Sequence, residues 1–231
     1  MVARRAMVLG AGSMVLAAAG PAAPIRPGVG DVLLVIDVQN CFVPGGSLAV
    51  KGGDEVVPIV NRLAKSFANV VLTQDWHTPG HASFASSHPG RKPFDTVKLP
   101  YGQQVLWPDH CVQSTPGAAL VDGLDVPQAM LVVRKGWHQA VDSYSAFNEA
   151  DGSPTGLAAY LKQRKIGRVF VAGLATDFCV AFTAVDARRA GFATLVIADA
   201  CRGIDTNGSV AAAWKKMAAA GVGRLNSMDI A

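Results

Sequence analysis

The chain lacks the features that would place it on nucleic acid, across a membrane or among disulfide-framed secreted modules. Its formal charge of +4 over 231 residues is dispersed in short pairs such as Arg91-Lys92, Arg188-Arg189 and Lys215-Lys216. No long basic run interleaved with aromatics accompanies them, so a nucleic-acid partner is not expected. No Cys-x-x-Cys pair occurs among Cys41, Cys111, Cys179 and Cys201, which argues against a structural zinc site or a dithiol redox motif. A chain this long, half of it hydrophobic, closes a core without cross-links. Free thiols are therefore expected, with Cys41, Cys111 and Cys201 as small buried hydrophobes. No composition break, internal repeat or low-complexity tract follows the first thirty residues, so residues 31–231 are expected to form one domain.

Residues 1–30 differ from the rest. Arg4-Arg5, the apolar run Ala6 to Ala19 and the small residues of Gly20-Pro-Ala-Ala-Pro24 follow the basic, apolar, small order of a secretory signal. The adjacent arginines resemble a twin-arginine export signal, so a periplasmic or exported location is expected, with a cytoplasmic protein carrying a floppy leader as the alternative. The apolar run is shorter than the about 20 residues that span a bilayer, so no stable membrane span is expected. Gly10-Ala-Gly12 is not a phosphate loop, because no strand precedes it.

What is present is an alternation of short β-branched runs with helical patterns, the signature of a parallel sheet covered on both faces. The expected fold is a three-layer α/β/α sandwich, Rossmann-like, around a mainly parallel six-stranded sheet. Strands are expected at Val32 to Asp37, Val70 to Gln74, Met130 to Arg134, Val169 to Gly173, Ala193 to Ile197 and near Arg224. Helices are expected at Glu55 to Phe67, Gly156 to Lys165, Phe178 to Ala190 and Ser209 to Ala220. Open sheets of this kind bind ligands beyond the carboxyl ends of their strands. The residues there are Asp37, Asp75, Lys135 and the turn leading to Cys179.

Cys179 follows an apolar strand and a tight turn onto the first turn of a helix, where free N–H groups and the helix dipole favour a thiolate. Asp37 can take the thiol proton and return it to a leaving group, and the Lys135 ammonium can favour the thiolate and hold Asp37. Backbone N–H groups of Ala175 and Cys179 are candidates for an oxyanion hole, which points to thiolate addition to an acyl carbon. Asp177 is expected to act only as a helix N-cap.

The stretch from Asp75 to Gln128 is long for a strand connection and rich in His, Pro, Gly and Trp. Asp75-Trp-His77-Thr-Pro-Gly-His81 together with His110 offers one carboxylate and three imidazoles, a donor set that suits zinc, iron or manganese. His88 competes with His81 for a ligand role but sits in a solvent-facing Ser-Ser-His-Pro tip. Such a cation would orient a substrate rather than activate water, because the thiol already provides a nucleophile.

Six motifs in register, Asp37-Val-Gln-Asn-Cys-Phe42, Asp75-Trp-His77, Trp107-Pro-Asp-His110-Cys, Arg134-Lys135-Gly, Asp142-Ser-Tyr-Ser-Ala-Phe147 and Ala175-Thr-Asp-Phe-Cys179-Val, resemble the nicotinamidase (pyrazinamidase) family of isochorismatase-like cysteine hydrolases. The resemblance runs from about Val32 to the C-terminus. It implies the isochorismatase-like hydrolase fold and hydrolysis of nicotinamide to nicotinate and ammonia through a thioester on Cys179, with pyrazinamide as a further substrate. Asp37 and Lys135 match the rest of that family's triad, and Asp75, His77, His81 and His110 match its ligands for one divalent metal ion. Phe42 and Trp107 would pack on the pyridine ring with Tyr144 close by, and the Leu174–Ala175 peptide would be cis. Many relatives serve NAD salvage in the cytoplasm, from which an export signal departs. The small-molecule partner implied is nicotinamide, and a homo-oligomer is compatible with the sequence. An isochorismatase-type vinyl-ether hydrolase is disfavoured by the cysteine and the metal cluster. The alternatives are a cysteine amidohydrolase acting on another amide or ureido substrate, and an exported metal- or pyridine-binding protein without turnover.

Overall fold

In the computed structural model, which describes residues 23–231, six strands form one parallel sheet in the order β5-β2-β1-β6-β7-β8. The strands are β1 (Asp31–Ile36), β2 (Val70–Asp75), β5 (Leu131–Lys135), β6 (Arg168–Leu174), β7 (Ala193–Arg202) and β8 (Gly223–Leu225), and all six lie where the sequence places them. The helices α1 (Val56–Ala64), α2 (Leu157–Gln163), α3 (Ala181–Arg189) and α4 (Ser209–Ala219) match the four expected ones, each slightly shorter. A small antiparallel hairpin, β3 (Thr96–Leu99) and β4 (Gly102–Val105), lies in the long excursion. It carries little apolar alternation to announce it, because its residues are mostly half-exposed.

The layers follow from side-chain alternation. In β1, Leu33 and Val35 face one core with Val56, Val60 and Leu63 of α1, whereas Val32, Leu34 and Ile36 face a second core with residues of α2, α3 and α4. Both faces are therefore dry, and full burial of each such aliphatic side chain contributes about 1.5–3 kcal/mol. Two glycines allow close approaches near the strand ends. A Cβ on Gly173 (φ 118°) would lie 2.2 Å from the Ile36 carbonyl oxygen, and one on Gly136 (φ 65°) would lie 2.6 Å from the His77 ring.

Three expectations change. Cys41 and Cys111 are joined as a disulfide, with Cα atoms 5.8 Å apart, leaving Cys179 and Cys201 free. The pairing arises because the excursion folds back over the end of β1, a proximity that a 70-residue separation conceals. Asp177 does not cap its own helix. Its carboxylate accepts hydrogen bonds from the N–H groups of Ile204 and Asp205 and from the Ser209 hydroxyl, pinning the segment before α4. The expected helix from Phe178 instead begins with a π-helical turn, Thr176–Val180, before α3. The expected export signal lies largely outside the described residues. Ile25, inside that segment, is tied to the C-terminus through bonds with Asp229 and Ala231. Among the described residues no helix is long and apolar enough to cross a membrane.

Candidate active site

The strand order sets Lys135, Asp75, Asp37 and the Ala175–Cys179 turn side by side along the carboxyl edge of the sheet. Asp75 and Lys135 are register partners in β2 and β5, and Asp37 directly follows Ile36 of β1, which pairs with Gly173 of β6. All of these side chains are buried. Lys135 Nζ lies 2.8 Å from Asp37 Oδ2, forms a salt bridge with Asp75, and donates to Cys179 Sγ at 3.4 Å and to the Ser143 carbonyl at 3.1 Å. Burial alone would lower the Lys135 pKa, but the charges of Asp37 and Asp75 outweigh it and hold the amine well above its ordinary value. It is a fixed cation.

Asp37 is oriented by a residue that no sequence motif singled out. The Thr73 hydroxyl donates to Asp37 Oδ1 at 2.5 Å and accepts from the Asp37 N–H at 3.0 Å. The other carboxylate oxygen, Oδ2, is held by the Lys135 ammonium at 2.8 Å. Asp37, Asp75 and Cys179 bring their carboxylate oxygens and sulfur within 4.8 Å of one another. Burial raises the Asp37 pKa, with the Lys135 ammonium opposing and the Asp75 charge reinforcing the rise. Burial likewise pushes the Cys179 thiol well up, Lys135 opposing. The sequence suggests a resting thiolate; in the folded site, burial and the two nearby carboxylates oppose ionisation of the thiol, and the Lys135 ammonium favours it.

The Leu174–Ala175 peptide is cis, and the Ala175 N–H donates to no acceptor among the described residues. Cys179 lies within the π-helical turn, in which the Val180 N–H reaches the Ala175 carbonyl at 3.1 Å. The N–H groups of Ala175 and Cys179 are the candidate oxyanion donors.

A small cavity opens onto Cys179, lined among others by Phe42, Trp107, Tyr144, Phe178 and His110. Its free volume of about 20 Å³ has room for about one water molecule, so a ring enters it only as the aromatic walls move apart. Phe42, Trp107 and Tyr144, separated by up to 102 positions in sequence, thus meet around one space. The Tyr144 hydroxyl accepts from Trp107 Nε1 at 3.0 Å and from Gln104 Nε2 at 3.1 Å, fixing two of these walls.

The cation donors adjoin the same cavity. Nε2 of His77 and of His110 lie 3.6 and 3.7 Å from Asp75 Oδ2. Their Nδ1 atoms face the carbonyls of Gly136 (2.9 Å) and Pro108 (2.8 Å), an arrangement that leaves Nε2 of each ring as the free ligand atom. This donor set fits a borderline divalent ion. Lys135 and the two histidines hold the Asp75 pKa well below the ordinary carboxylate value against the effect of burial. His81 stands to one side. Its ring is 4.3 Å from that of His77, but its nitrogens face Ser83 Oγ (2.7 Å) and the Val141 carbonyl (3.2 Å), and it groups with His77 and Asp142 rather than with Asp75 and His110. Burial and the neighbouring His77 lower its pKa to about 4, so the ring is uncharged at neutral pH. His88 is outside both groups, its Nε2 facing the Ala82 carbonyl.

Gln39, within the Asp37–Phe42 motif, is a second supporting residue. Its amide bridges the Asp75 backbone, accepting from the N–H at 2.8 Å and donating to the carbonyl at 2.9 Å.

Comparison with known proteins agrees with this geometry. Residues 31–227 match the Isochorismatase domain family. The chain is 57% identical to the nicotinamidase of Acinetobacter baylyi over 199 residues, covering 86% of this chain and 93% of that protein. A solved L. infantum protein in complex with nicotinate superposes with a TM-score of 0.80 at 39% identity, covering 90% of this chain and 98% of that one. The pyrazinamidase of Pyrococcus horikoshii in complex with zinc gives a TM-score of 0.70 at 32% identity, over 85% and 98% of the two chains.

Proposed function

Because this chain belongs to the isochorismatase-domain family, we propose that its edge-of-sheet cavity hydrolyses a ring amide through a thioester on Cys179, with Asp37 and Lys135 as its partners. The reaction is the hydrolysis of nicotinamide to nicotinate and ammonia. Pyrazinamide, which replaces one ring CH by nitrogen, would present the same carboxamide to the same thiol. The observation that carries the reading is one buried ammonium shared by Asp37, Asp75 and the thiol, beside an aromatic cavity whose wall includes Asp75 and His110, with His77 next to them.

Phe42 and Trp107 pack on the ring and Tyr144 closes the side, setting the carboxamide carbon against Cys179 Sγ. Asp37 accepts the thiol proton as the sulfur adds to the carbonyl carbon, and Lys135 balances the charge as it moves from carboxylate to sulfur. The N–H groups of Ala175 and Cys179 receive the oxyanion. Asp37 then gives its proton to the departing nitrogen, the C–N bond breaks and ammonia leaves. Water, deprotonated by Asp37, opens the thioester to release nicotinate and restore the thiol. A divalent ion, zinc, iron or manganese, held by Asp75, His77 and His110 with His81 beside them, supplies a Lewis-acid grip on the ring nitrogen when bound.

Ammonia release from nicotinamide tests this reading on wild type, on Cys179→Ala and on chelator-stripped wild type with metal content measured. The reading expects activity only in metal-loaded wild type. Undiminished turnover by Cys179→Ala would refute the nucleophile, and undiminished turnover by metal-free protein would refute the cation. Residues 1–30 are proposed to act as an export signal, which recovery of the protein from the cytoplasmic fraction alone, with an intact N-terminus, would contradict.

A further inference from the structure

The Cys41–Cys111 bond sits directly behind two walls of the Cys179 cavity. Cys41 immediately precedes Phe42, and Cys111 immediately follows His110. Phe42 and His110 both line the cavity, with ring centroids 5.6 Å apart. Both cysteines are buried, and their Cα separation of 5.8 Å is in the usual range for a disulfide. The backbone beside the bond reaches a further cation donor. The Cys111 carbonyl accepts from the His77 N–H at 3.1 Å, and the Gln113 N–H donates to the His77 carbonyl at 2.9 Å. Cys111 stands at φ 43°, a left-handed conformation that a residue other than glycine keeps only where its surroundings fix it. On the other side, the Cys41 N–H donates to the Gly117 carbonyl at 2.9 Å, and the Cys41 carbonyl accepts from the Leu48 N–H at 3.0 Å. One covalent bond thus joins the ring wall at Phe42 to the segment that carries His110 and aligns His77.

A ring enters this cavity only as aromatic walls move apart, and such movement threatens the spacing between the ring wall and the cation donors. We infer that the Cys41–Cys111 disulfide is a positioning element for the site: it holds Phe42 and His110 at a fixed spacing while other walls move, so that the face of the ring and its nitrogen are gripped together. The two thiols form the bond by exchange with a disulfide oxidant. They give up two protons and two electrons, and the oxidant leaves as two thiols. Asp37, Lys135 and Cys179 are set by the ends of β1 and β5 and by the turn after β6. The cross-link therefore acts on binding of the ring and of the cation, and not on the steps at the carboxamide carbon.

The inference rests on the reading of the cavity as a metal-dependent ring-amide site, and its test separates the two. Wild type alkylated in denaturant without reductant is expected to show two free thiols by mass, Cys179 and Cys201, and four after reduction. Thermal unfolding, kcat and KM for nicotinamide, and zinc affinity in competition with a chromophoric chelator are then compared for wild type, Cys41→Ser, Cys111→Ser and the double variant. Positioning by the bond predicts that each single variant raises KM and lowers zinc affinity by roughly 10-fold, with kcat little changed. The double variant is expected to lose no more than either single one, because one bond is removed in all three. Should a variant fail to fold, Cys179→Ala protein purified reduced and then reoxidised reads the same spacing without the Cys179 thiol, and its zinc affinity is expected to rise on reoxidation. Four free thiols in unreduced wild type would overturn the inference. So would variants, or reduced protein, that melt lower but keep wild-type KM and zinc affinity, since the bond would then brace the fold alone. Losses that add between the single variants would also overturn it, each cysteine acting through its own packing. Wild type that binds no zinc, iron or manganese would instead refute the metal-dependent reading, and the KM comparison would then decide the role of the bond.

Discussion

Thr73→Val tests the proposed base without touching it. Valine keeps the volume and branching of threonine in a fully buried position of β2, so packing is conserved, but the hydroxyl that donates to Asp37 Oδ1 at 2.5 Å and accepts from its N–H at 3.0 Å is lost. The hydroxyl bond favours the ionised carboxylate and opposes the upward push of burial on the Asp37 pKa. A hydrogen bond to a charged group contributes about 1.5–3 kcal/mol, and one pKa unit corresponds to 1.36 kcal/mol. The Asp37 pKa in the variant is therefore expected to rise by about 1–2 units. Because the carboxylate must be ionised to take the thiol proton, the acid limb of kcat/KM against pH is expected to move to higher pH by that amount. The orphaned Asp37 N–H is expected to lower stability by about 1–3 kcal/mol. Steady-state ammonia release from nicotinamide across pH measures the limb, and chemical denaturation measures the stability. Thr73→Ser keeps a hydroxyl and is expected to restore the wild-type limb. An acid limb unchanged in Thr73→Val, with activity retained, would show that Asp37 is not the group whose ionisation controls the reaction.

Gly136→Ala is expected to weaken metal binding by roughly 10- to 100-fold in chelator competition, because its Cβ would meet the His77 ring at 2.6 Å and a non-glycine residue at φ 65° is disfavoured. Phe170→Ala empties a fully buried position of the central strand β6 and is expected to cost about 3–5 kcal/mol in urea denaturation. For Asp31, burial would raise the carboxyl pKa, but the bidentate Arg168 guanidinium at 2.7 and 2.8 Å, with the Gly28 N–H, brings it below the ordinary value. A lowered folded-state pKa contributes stability that is fully present above the unfolded value, near 3.8, and is lost as pH falls through the folded value. Asp31→Asn is therefore expected to be less stable than wild type at pH 7 and to approach it in strongly acidic buffer, as followed by denaturant midpoints. Equal midpoints at pH 7 would show that the pair contributes nothing.

Five of the six strands were legible because each is a short β-branched run that ends in a charged residue or a glycine turn; β8, Gly223–Leu225, has no β-branched residue. Such runs report burial on both faces without any tertiary information. The ends of β1, β2 and β5 named Asp37, Asp75 and Lys135 for the same reason: a charge closing an apolar strand is costly unless it is paired. Thr73 and Gln39 gave no such signal. A threonine in a strand satisfies β-propensity whether or not its hydroxyl holds the Asp37 carboxylate, and their partners lie 36 residues away.

What the sequence determined by itself was therefore the strand and helix inventory, the residues at the strand ends and the histidine-rich excursion that holds the cation donors, because these depend on local pattern. Only the tertiary structure decided which of those donors face one another. It set His110 with Asp75 and His77 and turned His81 toward Asp142. It also joined Cys41 to Cys111 and assigned Asp177 to the segment before α4. Each of those outcomes depends on how a long loop packs back over the sheet edge, and the free energy that fixes it is spread over contacts distant in sequence. The state of Cys179 belongs to the same class. Its position at a helix start favours an anion, and only the packed site adds the burial and carboxylates that push its pKa up against the pull of Lys135.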